Sequence, residues 1–157
     1  MEINFIADSD SKDYSDAIDE YESIWSNYGE DIILAWEDLT SLKFRETNIT
    51  AVVFNGISHS HPLSLRDDVS SERKKSILIH ELGHRLLYGR VNQIDFSSLE
   101  NHKTLFLVLY DVFEKLFGTE FADDTVAWDK KLPRDAYKLA WDWALQFDRE
   151  ERTEQFK

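Results

Sequence analysis

The chain has 157 residues, of which 18 are lysine or arginine and 31 are aspartate or glutamate, so its formal net charge is −13. This length suits one domain, and 42% hydrophobic residues supply enough apolar side chains for a packed core. The negative charge repels phosphate backbones and anionic lipid surfaces, so we expect neither nucleic-acid binding nor membrane-surface binding. The absence of cysteine excludes disulfide bonds, a thiolate nucleophile and cysteine-ligated metals.

The amino-terminal segment has neither the basic region nor the continuous apolar run of a secretory signal. No stretch of the sequence approaches the ~20 apolar residues that a membrane-spanning helix needs. We therefore expect a cytoplasmic protein.

A strand and a long helical segment are predicted first. Residues 2–7 alternate between apolar and polar side chains as a short strand does. Apolar residues then recur at helical spacing over residues 14–39, which predicts one helix or two helices joined near Gly29.

A β-hairpin is predicted next. Residues 49–54 are β-branched and apolar, which is typical of a buried strand. The dipeptide Asn55-Gly56 is a turn signal, and a second extended run follows at residues 57–65. The turn between two such runs predicts that they pair as a hairpin.

Helices are predicted for most of the remaining sequence. Apolar spacing indicates a helix that stops at a C-cap at Gly89, an apolar-rich helix over 105–117 and a shorter one over 120–129. Pro133 stands where the first position of a further helix is expected, and the last residues have the composition of a charged tail. Strands at the front and helices behind predict one α+β domain over residues 1–157, with a small N-terminal sheet and a helical C-terminal part.

The clearest chemical motif is HELGH at residues 80–84, within a predicted helix. At about 100° per residue, His80 and His84 lie roughly 40° apart on one helical face, so both imidazoles can bind one metal ion. Glu81 is turned by about 100° from His80, where its carboxylate can deprotonate a water molecule that the metal acidifies. This arrangement is typical of zinc-dependent hydrolysis of peptide bonds.

A catalytic zinc ion needs a third protein ligand. The metzincin extension of the motif is absent, because Leu87 and Arg90 occupy its glycine and histidine positions. The remaining candidates are downstream carboxylates or His102.

Among the carboxylates, Asp111 is preferred because it lies inside an apolar run and has no cation beside it. Glu114 is the alternative, although Lys115 next to it favours an ordinary surface pair. It is also possible to explain both acids as the solvated side of their helix. Glu120 and Asp123 are weaker candidates on the following segment.

Two accessory groups are predicted. Hydrolysis needs a donor for the developing oxyanion, and Tyr88, Tyr110 or His102 can supply it. His59 and His61 would face the same side of an extended segment, where they either approach the metal site or form a surface pair in a turn.

On these residues the chain resembles the short HExxH zinc metallopeptidases of the gluzincin kind, which include minigluzincins and ImmA/IrrE-type peptidases. The likeness covers roughly residues 49–127, and HELGH is its specific part. The resemblance implies a small sheet packed on a zincin-type active-site helix, and a strand before that helix to whose edge the substrate adds. The site residues that it implies are His80 and His84 as Zn²⁺ ligands, Glu81 as general base, and Asp111 or Glu114 as the third ligand. The third ligand in those families is usually glutamate.

We therefore expect a zinc-dependent metallopeptidase that hydrolyses a polypeptide substrate with Glu81 as the general base. The alternative is a non-catalytic module, zinc-stabilised or metal-free, that binds or regulates another protein. The two hypotheses differ in whether the metal keeps an open position, since a structural zinc is usually closed by four protein ligands. Hydrolysis of a non-peptide amide would use the same metal site.

Overall fold

A computed structural model describes residues 1–9, 12–89 and 98–157, without the side chain of Ser98. The described residues form three β-strands and six α-helices, which confirms the α+β class. They divide into two compact units, which we name the sheet unit (Met1–Leu34 and Lys43–Leu86) and the helical unit (Ala35–Leu42 and Leu87–Lys157). The division into two compact units does not test whether residues 1–157 form one domain, so the single domain stays a prediction.

The sheet contains β1 (Glu2–Ala7), β2 (Asn48–Phe54) and β3 (Ser64–Arg66), in the order β1-β2-β3. Both strand pairs are parallel. Parallel neighbours need a long crossover connection, and α1 (Ser15–Thr40) lies between β1 and β2 in the chain. The helix continues through Gly29. Of the two predicted alternatives, the single long helix is therefore confirmed.

One face of the sheet forms the core of the sheet unit. The ring of Phe5 stacks on that of Tyr21 from α1, with centroids 5.9 Å apart and planes 10° apart. The other buried apolar side chains of β2 and the first part of α1 are Ile49, Ala51, Val53, Ala17, Ile24 and Ile32. Among the alternate positions, Asn4 and Thr50 are exposed polar residues, whereas Val52 and Phe54 are half-buried and apolar. The alternation of the two strands therefore places their buried side chains on one face.

The β-hairpin predicted from the turn signal after β2 is wrong. β2 and β3 pair in parallel, with Val52 aligned to Ser64. Residues 55–63 therefore return the chain along β2 before β3 begins, and an isolated antiparallel bridge joins His59 to Ser64. The buried Leu65 comes only after this polar segment, so the turn signal does not set the strand direction.

The helix that carries HELGH is α2 (Ser71–Leu87). Ser70 caps its start, because the hydroxyl of Ser70 accepts a hydrogen bond from the backbone N–H of Arg73 at 3.4 Å. Gly89 follows its end with a φ of 66°, which agrees with the predicted C-cap. The fully buried apolar residues that anchor α2 are Leu78, Ile79 and Leu82.

The helical unit contains α3 (Ser98–Phe117), α4 (Thr119–Asp129), α5 (Asp135–Ala144) and α6 (Arg149–Phe156). α3 is central, since each of the other three helices packs against it. The buried apolar core includes Leu105, Phe106, Leu109, Val112, Phe113, Ala122, Ala140, Trp141 and Ala144. None of the helices within the described residues is long and apolar enough to cross a membrane.

Two helix starts differ from the predictions. α3 begins at Ser98 rather than at position 105, because its first turns are mostly polar and lack the apolar spacing on which the prediction depends. α5 begins at Asp135 rather than at Pro133. The backbone N–H of Arg134 donates to the carbonyl of Leu132 at 2.7 Å, which closes a tight turn around Pro133 and keeps it outside the helix.

The prediction of a charged C-terminal tail is also wrong, because residues 149–156 form α6. Its start is a capping box. The carboxylate of Asp148 accepts from the backbone N–H of Glu151, and the Glu151 carboxylate accepts from the backbone N–H of Asp148, both at 2.9 Å. The helix buries Arg152, and this contact with the core is not visible in its largely polar sequence.

Candidate metal centre

α2 carries the whole HELGH motif, so helical geometry fixes the spacing of its side chains. The ring centroids of His80 and His84 lie 4.8 Å apart, with their planes at 67°. Two imidazoles at this separation are neighbours on the helix surface, as the four-residue spacing predicts. Imidazole nitrogens are common ligands of Zn²⁺ in proteins.

The motif is shielded from solvent to an unusual extent for polar groups. His80 and Glu81 retain only 7% and 6% of their accessible surface, while His84 is half-buried. Burying ionisable groups costs free energy unless they find partners or bind a metal ion. A binding role for the motif is consistent with this cost.

Arg85 follows the motif directly and holds the segment that precedes β3. Its Nη1 donates to the backbone carbonyl of Ser60, and its Nη2 forms an ion pair with the carboxylate of Glu46. Only 11% of the Arg85 side chain is exposed, so this charge is well shielded from water. Arg85, the residue next to His84, therefore makes its contacts within the sheet unit.

The outer edge of β3 is covered by the same segment. The backbone of Ser64 exchanges two hydrogen bonds with that of His59, at 2.9 and 3.0 Å. The N–H of Arg66 donates to the Ser58 hydroxyl, and the carbonyl of Arg66 accepts from the Tyr21 hydroxyl, both at 2.9 Å. The edge to which the resemblance would add a substrate strand is therefore already hydrogen-bonded.

His59 and His61 make local contacts in this turn. The Nδ1 of His59 lies 3.1 Å from the carbonyl of Ile57, and the Nδ1 of His61 lies 3.0 Å from the Ser60 hydroxyl. Burial lowers the pKa of His61 below its ordinary value, and the charge of Arg85 lowers it further against the opposing effect of Glu46. These contacts agree with the alternative of a histidine pair in a turn.

In the helical unit, Asp111 is buried and paired with Arg152 from α6. The Nη2 of Arg152 lies 2.5 Å from one carboxylate oxygen of Asp111, and its Nε lies 3.4 Å from the other. Arg152 also donates to the carbonyl of Phe147 at 2.8 Å and lies over the Tyr110 ring, 5.3 Å from its centroid. Because both oxygens of Asp111 have a cationic donor, these contacts argue against Asp111 as a metal ligand.

Sequence reasoning missed Arg152 entirely, and a signal for it was present. The residues Asp148 and Glu151 have capping-box spacing, which would have predicted a helix beyond position 148.

The other carboxylate candidates for the third ligand have partners or are exposed. Glu114 accepts from the Thr119 hydroxyl at 3.0 Å, and Glu120 lies at the surface.

His102, the remaining candidate, is buried on α3, with 8% of its surface exposed. Its ring lies against Tyr137 from α5, with centroids 4.3 Å apart, and against Phe106, at 5.4 Å. The His102 imidazole is therefore in contact with two aromatic rings. The sequence offered His102 as a candidate but no reason to prefer it.

The tyrosines proposed as oxyanion donors have different environments. Tyr88 is 60% exposed. The hydroxyl of Tyr110 donates to the carboxylate of Asp123 at 2.8 Å. Burial, together with this hydrogen bond, raises the pKa of Tyr110 to about 12. Tyr110 is therefore a protonated donor at neutral pH whose proton is already directed at a carboxylate.

Comparisons with protein-family models, with curated proteins and with solved structures found no significant match. The resemblance to gluzincin peptidases therefore rests on the motif alone. The functional argument below depends on the contacts of the chain's own residues.

Proposed function

We propose that the chain is a zinc-dependent metallopeptidase in which His80 and His84 hold the ion and Glu81 acts as general base. The observation that carries the proposal is the pair of imidazoles on α2, 4.8 Å apart, with a buried glutamate beside them. Both histidines can offer one ring nitrogen as a ligand atom.

The proposal assigns the two ligands that lie on α2. Asp111, the carboxylate that the sequence favours as third ligand, is neutralised by Arg152. A catalytic zinc ion takes three protein ligands and keeps its fourth position open. The proposal therefore keeps the reaction class and the two histidines that the gluzincin resemblance implies, and it assigns no third ligand.

The chain's own residues supply the acid-base chemistry. A zinc ion, when bound, lowers the pKa of a water molecule and polarises the carbonyl group of the scissile bond. Glu81 takes the proton of the attacking water and then gives it to the leaving amine. Burial of Glu81 limits competition from bulk water for this proton. No covalent bond to the protein is needed.

The rival hypothesis is the non-catalytic interaction module, and one observation favours it. The outer edge of β3 is hydrogen-bonded to residues 58–59 and to Tyr21, so a substrate strand finds no vacant backbone groups there. Under this hypothesis the metal stabilises the chain or is absent, and Glu81 has no chemical task.

The first experiment measures bound zinc in protein purified without chelators or a histidine tag. Wild type should contain about one zinc ion per chain, because the site has one set of ligands. His84→Ala should lose the metal, while Asp111→Asn and the control His59→Ala should retain it. Wild type without zinc after reconstitution, or zinc retained in His84→Ala, would contradict the proposed site.

The second experiment separates the enzyme from the interaction module. Glu81→Gln should keep its zinc and lose hydrolysis of a fluorescence-quenched library of unstructured peptides by about 10²- to 10⁴-fold. Glu114→Gln is the matched control and should remain active. Unchanged turnover in Glu81→Gln would contradict the general-base role, and zinc-loaded wild type that cleaves nothing would favour the interaction module.

A further inference from the structure

β1 is an edge strand of the sheet. The strand order is β1-β2-β3, and no other strand within the part of the chain that the structure describes pairs with β1. The backbone N–H of Glu2 donates to the carbonyl of Thr47 at 2.7 Å, and the N–H of Asp8 donates to that of Val53 at 3.0 Å. Only alternate residues of a strand bond to the same neighbour, so the even-numbered residues of β1 bond to β2. The residues whose N–H and C=O groups point to the open side are therefore Ile3, Phe5 and Ala7.

The open side of β1 is accessible to a partner. Asn4 and Ala7 are exposed, and Ile6 retains 41% of its accessible surface. A row of backbone donors and acceptors on an edge strand can pair with an extended polypeptide, which then adds to the sheet as a further strand. Because β2 separates β1 from β3, this edge is distinct from the covered edge of β3, and the inference does not rest on the proposed function.

The sequence around this edge is strongly acidic. Residues 1–34, which contain β1 and most of α1, have ten aspartate or glutamate residues and one basic residue, Lys12, for a net charge of −9. Lys12 is paired with Asp67. β2 contains no charged residue that could offset the acids. The charge attracts a basic partner and repels a second copy of this chain.

A groove beside the amino-terminal end of β1 suits a basic side chain. The groove has a volume of about 480 Å³, and its lining includes Glu2, Asn48 and the half-buried Trp25 of α1. The Trp25 indole lies against Gly29, where an added Cβ atom would come within 2.8 Å of the ring. A carboxylate and an indole in one groove favour a lysine or arginine side chain through charge and cation–π attraction.

We propose that β1 binds an extended, basic segment of a partner polypeptide, which pairs with the open side of β1 as a fourth strand. Hydrogen bonds to the backbone of residues 3, 5 and 7 supply affinity. Glu2 and Asp8 lie at the two ends of β1 and are exposed, so they select basic side chains. Glu2 and Asp8 are on the same face of the sheet, and the matching partner therefore has a basic residue at every second position.

The first test uses two acetylated hexapeptides and the untagged full-length chain. Fluorescence anisotropy should show binding of the peptide of alternating lysine and valine, and none of the control peptide of alternating glutamate and valine. At saturation, hydrogen exchange should slow at the amides of Ile3, Phe5 and Ala7. The amides of Asn4 and Ile6 bond to β2 and should not change. A lysine peptide that does not bind, equal binding of the glutamate peptide, or binding without slower exchange at the three amides would each overturn the proposal.

The second test blocks the edge. Ala7→Pro removes one outward-pointing N–H and leaves the bonds to β2, since proline is accepted on an edge strand where its nitrogen faces solvent. Ala7→Thr is the matched control, because it keeps this donor. We expect the affinity for the lysine peptide to fall at least about fivefold in Ala7→Pro, the effect of one lost hydrogen bond, and to stay within about twofold in Ala7→Thr. Circular dichroism checks that both variants are folded. Equal affinity in folded Ala7→Pro and wild type would overturn the proposal, and the exchange experiment tests it in wild type alone.

The third test separates local charge from net charge. Glu2→Gln combined with Asp8→Asn should weaken binding of the lysine peptide by about fivefold, as expected for the loss of two exposed ion pairs. Glu150→Gln combined with Glu154→Gln removes the same charge from α6 and should leave the affinity unchanged. Equal losses in the two double variants would overturn selection at β1. Sedimentation of wild type should show a monomer, and a dimer that Ala7→Pro abolishes would overturn the proposal by making a second copy the occupant of the edge.

Discussion

Arg152 holds both carboxylate oxygens of Asp111 inside the helical unit, at 2.5 and 3.4 Å. The exposed fractions of the two side chains are 8% and 4%, so the pair is shielded from water. A buried ion pair is costly to break from one side, because the remaining charge stays buried without its partner. Asp111 therefore has a structural task that ties α6 to α3.

Asp111→Asn should lower the free energy of unfolding by about 3–5 kcal/mol, because it leaves the buried guanidinium of Arg152 without a counter-charge. Urea denaturation monitored by circular dichroism measures the change. The double variant Asp111→Leu with Arg152→Met removes both charges and should recover most of the loss. A loss as large in the double variant as in Asp111→Asn would contradict the explanation by an uncompensated charge.

Asp148→Ala should destabilise α6 by about 1 kcal/mol, since it removes the side-chain half of the capping box. Urea denaturation gives the total effect, and hydrogen exchange of the α6 amides locates it. Glu154→Ala is the matched control, because Glu154 lies on the same helix and forms an exposed ion pair with Lys157. If the control lost as much stability, the cap would not be the cause.

Tyr110 should ionise near pH 12, above the ordinary tyrosine value of 10.0. Because the folded pKa is the higher one, the contribution of Tyr110 to stability is complete below about pH 10 and is lost as the pH rises toward 12. Ultraviolet difference titration of wild type against Tyr110→Phe should show the loss of this late ionisation. Asp123→Asn should lower the pKa only in part, because burial is the largest cause of the shift. Complete return of the Tyr110 pKa to its ordinary value in Asp123→Asn would show that the hydrogen bond dominates.

Arg85→Ala should loosen the segment that covers the outer edge of β3. The backbone amides of Ser64 and Arg66, which donate to His59 and Ser58, should then exchange with solvent faster. We expect at least about tenfold, since a hydrogen bond from a charged donor contributes roughly 1.5–3 kcal/mol. The amide of Asp67 donates instead to the carbonyl of Phe54 in β2, so it is an internal control that should keep its protection. Equal acceleration at Asp67 would indicate general unfolding of the sheet.

Much of the secondary structure follows from local patterns. Alternation predicted β1 over Glu2–Ala7, and helical spacing predicted one helix or two joined near Gly29, of which α1 is the first alternative. The C-cap signal of Gly89 also correctly predicted where α2 ends. These predictions succeed because each depends on neighbouring residues, whose preferences act without reference to the rest of the chain.

The failures involve pairing between distant residues. The turn signal after β2 carried no information about the direction of β3, which is set by the alignment of Val52 with Ser64. α6 was missed because its side chains are mostly polar, and only the buried Arg152 ties it to the core. Tertiary contacts override weak local patterns in both cases.

The sequence by itself determined the pairing of the two histidines of HELGH. His80 and His84 are four residues apart on a helix, so helical geometry alone brings their imidazoles together. The tertiary structure decided the role of Asp111, because its partner Arg152 lies 41 residues away and is reached only through the packing of α6 on α3. A spacing of four residues is fixed by one helix, whereas a buried ion pair exists only once two helices have met and excluded water between them.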